Sequence, residues 1–176
     1  MHIFVARHGQ TQWNAENKVC GRTDLPLTAL GLAQAEELAD KVGPLNIDLI
    51  LCSPMLRARQ TAQASASRYG IPMEIDPRLI EQDYGVFEGA DRFDPGFWAN
   101  KRQFAVRYPG GESMMQVAAR VYSLLEEIRV RYPNKKILLV CHGGICRVIR
   151  TYFEDMTNED YVNYCEDNAA VREYRL

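Results

Sequence analysis

No stretch of this 176-residue chain approaches the roughly 20 consecutive apolar residues of a membrane-spanning helix, so no such span and no membrane partner is expected. Charge of one sign is not in excess either. The 21 lysines and arginines oppose 23 aspartates and glutamates, leaving a net charge of -2. Without a global basic field, nucleic acid is not an expected partner, and any anion site must come from a local cluster of arginines. The five cysteines (Cys20, Cys52, Cys141, Cys146, Cys165) are odd in number and include no CxxC pair. Cys52 and Cys141 fall inside apolar runs, where a buried free thiol is the simpler expectation. No acidic cluster suited to Mg²⁺ occurs, so neither a metal nor another cofactor is implied. The apolar opening at residues 2–5 is too short for a signal-peptide core and lacks a cleavage pattern. With this cysteine usage, a reduced, cytoplasmic protein is expected.

What is present is an ordinary globular composition, 47% hydrophobic and 25% charged, at a length suited to one domain spanning residues 1–176. Short apolar runs at residues 3–6, 47–52 and 137–141 read as buried strands. Residues 73–75 and 170–174 are further candidates, the latter at a sheet edge. Thr28 can cap a helix running to about Val42, with Leu32, Ala35, Leu38 and Val42 on its apolar stripe. Ser53 and Pro54 read as the N-cap and first-turn proline of a helix that stops near Gly70. The longest helix is expected over residues 114–132, with Val117, Val121, Leu124 and Ile128 facing the core. Shorter helices follow at about 144–153 and 159–164. Strands alternating with helices predict a three-layer α/β/α fold around a mostly parallel sheet. Residues 82–112 form one long irregular stretch, rich in aromatics such as Tyr84, Phe93, Phe97 and Trp98. That composition argues against disorder and for a lid-like insertion with some helix near residues 97–107.

Two histidine motifs carry the chemistry. Arg7-His8-Gly9 and His142-Gly143-Gly144 each follow an apolar run, where a strand should end and a loop begin. Ligands of open α/β sheets bind beyond the carboxyl ends of the strands. Arg57, in the first turn after another strand, and Glu81, closing residues 79–81, fall in comparable positions. A neutral imidazole with one nitrogen held and the other free is a nucleophile towards phosphorus. The transferring phosphoryl group needs fixed cations, and arginine matches its geometry. Arg7 and Arg57 would supply them, with His142 as a further donor and the Gly143-Gly144 amides as an anion cradle. A leaving alkoxide needs a proton, for which Glu81 is the first candidate and Asp83 the second. His2, ahead of the first strand and without partners, reads as structural.

These stretches closely resemble the histidine phosphatase superfamily, the phosphoglycerate-mutase-like enzymes. The matching segments are ARHGQTQWN (6–14), LPLTALG (25–31), SPMLRARQTA (53–62), IEQDYGVFEG (80–89), PGGES (109–113) and VCHGG (140–144). They run through nearly the whole chain in the family's order. The resemblance implies that His8 is the phosphorylated nucleophile, that Arg7, Arg57 and His142 form the phosphate pocket with Asn14 and Gly143, and that Glu81 is the proton donor. It also brings Cys20 and Gly21 to the substrate loop and makes Arg147 a candidate substrate contact, which could equally be a charge on a helix surface. The phosphoglycerate-mutase-like fold comes with the resemblance.

The substrate stays open at this point. A glycine, Gly143, stands where the bisphosphatase branch has glutamine. The absence of a long insertion and of a tail after Leu176 favours a small metal-independent phosphatase, of the kind that includes the α-ribazole phosphatases, over a cofactor-dependent mutase. A non-catalytic phosphate-binding module is the remaining alternative, although no key histidine or arginine is missing. Lys101, Arg102 and Arg107 could bind a second anionic group or be a solvated helix face. The expected partner is a small phosphorylated metabolite, with a homodimer left open.

Overall fold

The strands of the central sheet divide their residues between two cores. In the computed structural model, which describes residues 2–175, these strands are β1 (His2–Arg7), β2 (Leu49–Cys52), β3 (Met73–Ile75), β4 (Lys136–Cys141) and β5 (Val171–Arg175). Ile3, Val5, Leu49, Leu51, Ile137 and Leu139 point to one face. Phe4, Ala6, Ile50, Cys52, Leu138 and Val140 point to the other. Both faces are apolar because both are covered, as a parallel sheet requires. On the first face lie α5 (Met114–Arg131), α6 (Gly143–Phe153) and α7 (Asn158–Asn163); on the second lie α2 (Ala29–Val42) and α3 (Leu56–Tyr69). This is the three-layer α/β/α architecture expected. Two further short helices, α1 (Gln12–Ala15) and α4 (Pro95–Lys101), sit in loops.

The strand order is β3-β2-β4-β1-β5, parallel except for the β1–β5 edge pair. The chain leaves β1 towards β2, builds outward to β3, and returns to insert β4 between β2 and β1. That insertion is the reversal of direction at which α/β sheets form ligand crevices. Register then fixes the site. Arg7 pairs with Cys141, so His8 and His142 are the next residues on neighbouring strands, and the His8 amide still bonds the Cys141 carbonyl at 3.0 Å.

Several expectations are corrected in detail. The helix after β2 starts at Leu56, and its first amide is capped by Asp24 Oδ1 at 2.7 Å rather than by Ser53. Leu32 is half exposed, while Gly31 takes its place on the buried face. A Cβ on Gly31 would meet the Gln10 carbonyl oxygen at 2.1 Å, so backbone-to-backbone contact sets the rotation of α2 at this end. The helix foreseen at 97–107 is shorter and earlier. Asp94 caps it and Pro95 occupies its first turn, and the chain turns again at residues 103–106. Residues 82–112 carry a small core of their own, in which Tyr84, Phe97 and Tyr108 pack mutually with centroid separations of 5.2–5.6 Å.

Leu139 sits on the central strand with no exposed surface. Leu139→Ala should lower unfolding stability by about 3 kcal/mol through lost burial and the remaining cavity. Urea denaturation followed by circular dichroism measures this. A loss below about 1 kcal/mol would show that the site can collapse around the smaller side chain.

Candidate active site

The two imidazoles meet at the carboxyl ends of β1 and β4, with ring centroids 5.1 Å apart in an edge arrangement. His8 Nδ1 lies 2.6 Å from its neighbour's carbonyl, Gly9 O. A carbonyl only accepts, so Nδ1 carries the hydrogen and Nε2 keeps its lone pair. Burial first, then the Arg57 and Arg7 guanidiniums, hold the His8 ring well below its ordinary value of 6.5. The ring is therefore neutral at physiological pH. His142 is depressed for the same reasons, with burial again leading and Arg57 next. Its Nε2 lies 2.7 Å from Ser53 Oγ, while its buried Nδ1 has no partner.

A cavity of about 190 Å³ opens beside His8, of a size for a small molecule rather than a polymer. Of the expected residues it is lined by Arg7, His8, Asn14, Cys20, Glu81 and Gly143, and by Arg147 as well. Arg7 is held by Nη1, which donates to Glu166 O at 2.5 Å, and its buried Nε is free. Asn14 spends its Oδ1 on the Thr11 amide at the start of α1, which leaves its amide nitrogen available to a ligand. Glu81 is buried, with one oxygen on the Gln82 amide at 2.8 Å and the other on the Gly144 amide at 3.0 Å. Asp83 instead accepts from the Gly85 amide and does not line the cavity. The geometry favours Glu81 of the two carboxyls. It also corrects the expected amide cradle, because Gly144 already donates to Glu81. A Cβ on Gly144 would lie 2.5 Å from Glu81 Oε1, so glycine is needed for the carboxylate to come this close.

Arg57 is fully buried and is the strongest charge acting on either imidazole. Its Nη1 and Nη2 donate to Thr23 O at 2.9 Å and Gly21 O at 2.8 Å, and Nε is unpartnered. Gly21 is thus a holder of Arg57 and does not line the cavity. Arg102 is a second correction. It points outward and pairs with Glu159 at 2.9 Å, while its neighbour Lys101 lines the cavity. Arg107 is exposed and also lies away from the cavity. Arg147, by contrast, is 7% exposed, because residues 144–149 of α6 are buried one after another and leave no surface face for it.

Four contributors escaped the sequence reading. Glu88 accepts from the amides of Gly21, Arg22 and Thr23 and from the Thr23 hydroxyl, fixing the loop that holds Arg57. Asn168 donates to His8 O at 2.8 Å, and Thr61 Oγ1 accepts the Gly9 amide at 3.0 Å. Arg92 lines the cavity from the middle of an irregular segment. Thr61 sits on the buried stripe of α3, but its bond joins it to a distant segment, and Glu88, Asn168 and Arg92 sit in no periodic pattern and at no strand end, the two signals sequence offers.

Both buried imidazoles have folded-state values below 6.5, so the unfolded chain binds more protons as pH falls through that point. Stability should therefore drop on acidification from pH 7 to about 5, with a slope of up to about 1.4 kcal/mol per unit for each ring. Urea midpoints measured across this window test it. A flat profile would contradict the burial of two neutral rings.

Comparison with known proteins shows the family. The profile of the histidine phosphatase superfamily (branch 1) matches residues 3–176. The "Uncharacterized phosphatase PhoE" of Bacillus subtilis is 32% identical over 175 residues, covering 97% of this chain and 89% of its own. The "Probable phosphoglycerate mutase GpmB" of Enterobacter sp. is 36% identical over 150 residues, covering 81% and 70%. A mycobacterial glucosyl-3-phosphoglycerate phosphatase, solved with VO3, superposes with a TM-score of 0.88 at 28% identity over 98% of this chain and 90% of that one. The chain belongs to the histidine phosphatase superfamily, as an enzyme acting on phosphomonoesters.

Proposed function

We propose that the protein hydrolyses a small phosphomonoester, without a metal, through a phosphohistidine formed on His8 Nε2. The observation that carries this reading is the 2.6 Å contact of His8 Nδ1 with Gly9 O, which leaves a neutral, unprotonated Nε2 beside the cavity. In the first step Nε2 attacks phosphorus and the ester P–O bond breaks. Glu81 gives its proton to the departing oxygen. Arg7 and Asn14 at the cavity wall hold the charge of the transferring group, while Arg57 and His142, fully buried behind the wall and not lining the cavity, act on it through the field and packing around the His8 ring. In the second step water attacks the phosphorus and Glu81 takes the proton back. The P–N bond breaks, inorganic phosphate leaves, and the neutral imidazole is restored.

A second reading is mutase activity, favoured by the likeness to the GpmB protein. It would require the phosphoenzyme to hand its group to a second hydroxyl before water arrives. Isomerisation of 3-phosphoglycerate primed by 2,3-bisphosphoglycerate, if faster than hydrolysis, would replace the phosphatase reading.

His8→Ala should cut p-nitrophenyl phosphate hydrolysis in EDTA by about 10³-fold or more. Wild-type enzyme quenched during turnover should carry a phosphoryl group that is acid-labile and base-stable, as expected for a P–N bond. A His8→Ala protein that keeps most of its activity would refute the nucleophile. Glu81→Gln should slow an alkyl phosphate by about 10²-fold or more. It should slow p-nitrophenyl phosphate much less, because nitrophenolate leaves without a proton. Equal losses on both esters would remove Glu81 from the role of acid.

A further inference from the structure

A strand that ends in a loop leaves its next peptide groups without ladder partners. His8 and Gly9 meet that problem in full, since both lie past the end of β1 and both are buried. Their four backbone groups are nevertheless all bonded. The His8 amide reaches Cys141 O at 3.0 Å, and the His8 ring takes Gly9 O at 2.6 Å through Nδ1. The other two groups belong to the single peptide unit between the residues, and each meets a side chain. Asn168 Nδ2 donates to His8 O at 2.8 Å, and Thr61 Oγ1 accepts from the Gly9 amide at 3.0 Å.

Both side chains are held in place for this contact. Thr61 is fully buried on α3, and its hydroxyl hydrogen goes to Arg57 O at 2.8 Å, so the oxygen turns a lone pair to the Gly9 amide. Asn168 comes from a turn closed by the Ala170 amide on Asp167 O at 3.2 Å. The next residue, Ala169, is buried with a left-handed φ of 56°, a conformation unfavourable for a residue with a Cβ. Strain of this kind persists where the surroundings over-determine it. Here the Ala169 amide donates to Arg7 O at 3.0 Å, and Ala170 O accepts from the Arg7 amide at 3.3 Å. The turn is thereby fastened to the last residue of β1, with Asn168 on the peptide just beyond it.

The consequence reaches the nucleophile. Gly9 O selects the imidazole tautomer only while it stays within hydrogen-bond reach of Nδ1. Its position follows from the tilt of the planar His8-Gly9 peptide, which sets where Gly9 Cα and the carbonyl beyond it lie. Released from either side chain, that plane turns, Gly9 O moves off Nδ1, and the hydrogen is free to sit on Nε2. A ring with its hydrogen on Nε2 has no lone pair there to attack phosphorus.

We infer that Asn168 and Thr61 are positioning residues that clamp the His8-Gly9 peptide from its two edges and so hold His8 in the tautomer with Nδ1 protonated and Nε2 bare. The effect on catalysis rests on the phosphatase reading, whereas the tautomer itself is readable without substrate.

Nitrogen NMR of isotope-labelled histidine rings tests the clamp, because protonated and bare ring nitrogens resonate far apart. The chain has three histidines, and the His8 signals are those lost in His8→Ala. Burial keeps the ring neutral near pH 7, so only the two tautomers compete there. Wild-type protein should show a protonated Nδ1 and a bare Nε2. Thr61→Val, which keeps the shape of the side chain and removes the acceptor, should move both His8 signals towards the other tautomer. It should lower kcat for p-nitrophenyl phosphate by about tenfold or more and change KM by less than about threefold, because the groups that bind phosphate stay in place. Thr61→Ser, which restores the hydroxyl, should recover the signals and most of kcat. Asn168→Ala, on a partly exposed turn, should act as Thr61→Val does and provides a second variant should Thr61→Val disturb α3. His8 signals unchanged in either folded variant would overturn the clamp, whatever happens to kcat. So would a loss of kcat that Thr61→Ser fails to recover. If His8→Ala keeps its hydrolytic activity, the nucleophile reading falls, and the nitrogen signals decide the clamp by themselves.

Discussion

The parallel pairing of β1 with β4 is the constraint from which the site follows. Two strands far apart in sequence are aligned so that Arg7 faces Cys141, and the residues that come next are the two histidines. A one-residue slip of β1 against β4 would send Ile3 and Val5 to the layer that Phe4 and Ala6 now fill, and those two to the layer of Ile137 and Leu139. Hydrophobic burial on both faces therefore sets the ring-to-ring geometry of His8 and His142 far more firmly than any contact between the rings. The catalytic pair inherits the precision of the core. This is why the histidines can sit in loops and still be held at a defined separation.

Around that pair the electrostatics run against ordinary stability. Arg57 is fully buried beside two imidazoles and has no carboxylate among the described residues. Its charge is spread instead over the carbonyls of Gly21 and Thr23, which accept hydrogen bonds without cancelling it. Glu88, the nearest structural acid in this chain of contacts, meets the amides of the same loop rather than the guanidinium. The arrangement keeps the positive potential intact where the imidazoles sit and fixes it in space. An ion pair in the same place would have neutralised it. Keeping both rings uncharged and the cations uncancelled are two results of one design, since each cation lowers the proton affinity of the rings.

How much of this was legible in the chain depends on range. The apolar runs at residues 3–6 and 137–141, bounded by turn chemistry, announce buried strands, and the motif at the end of each was readable as a site residue. Thr28 and the stripe of residues 114–132 are equally local. What failed required knowledge of orientation or of distant partners. On the short helix α4 one step of about 100° separates Lys101, on the cavity wall, from Arg102, on the surface. With only seven residues and no sustained periodicity, sequence cannot choose between them. Ser53 had the chemistry of a helix cap, but the structure uses its hydroxyl on His142. Arg147 could be weighed as a surface charge only because the burial of α6 on all sides depends on the layers that surround it.

The aromatic segment links these themes. A 31-residue stretch without regular pattern could not order itself over a cation-rich cavity by polar contacts alone. Tyr84, Phe97 and Tyr108 give it a private core, and Glu112, bonded to Arg22 and Arg120, anchors it to the body. With that support in place the segment presents Arg92 and Lys101 to the cavity and uses Trp98 to steady both. The aromatics that made the segment conspicuous in sequence are thus divided by function. Tyr84, Phe97 and Tyr108 secure the fold of the segment, and Trp98 at the cavity lies against the Lys101 ammonium without neutralising it. That division explains how so short a chain keeps unpaired cations on both sides of one small cavity: the apolar contacts that stabilise the wall are made by the same segment that carries the charges.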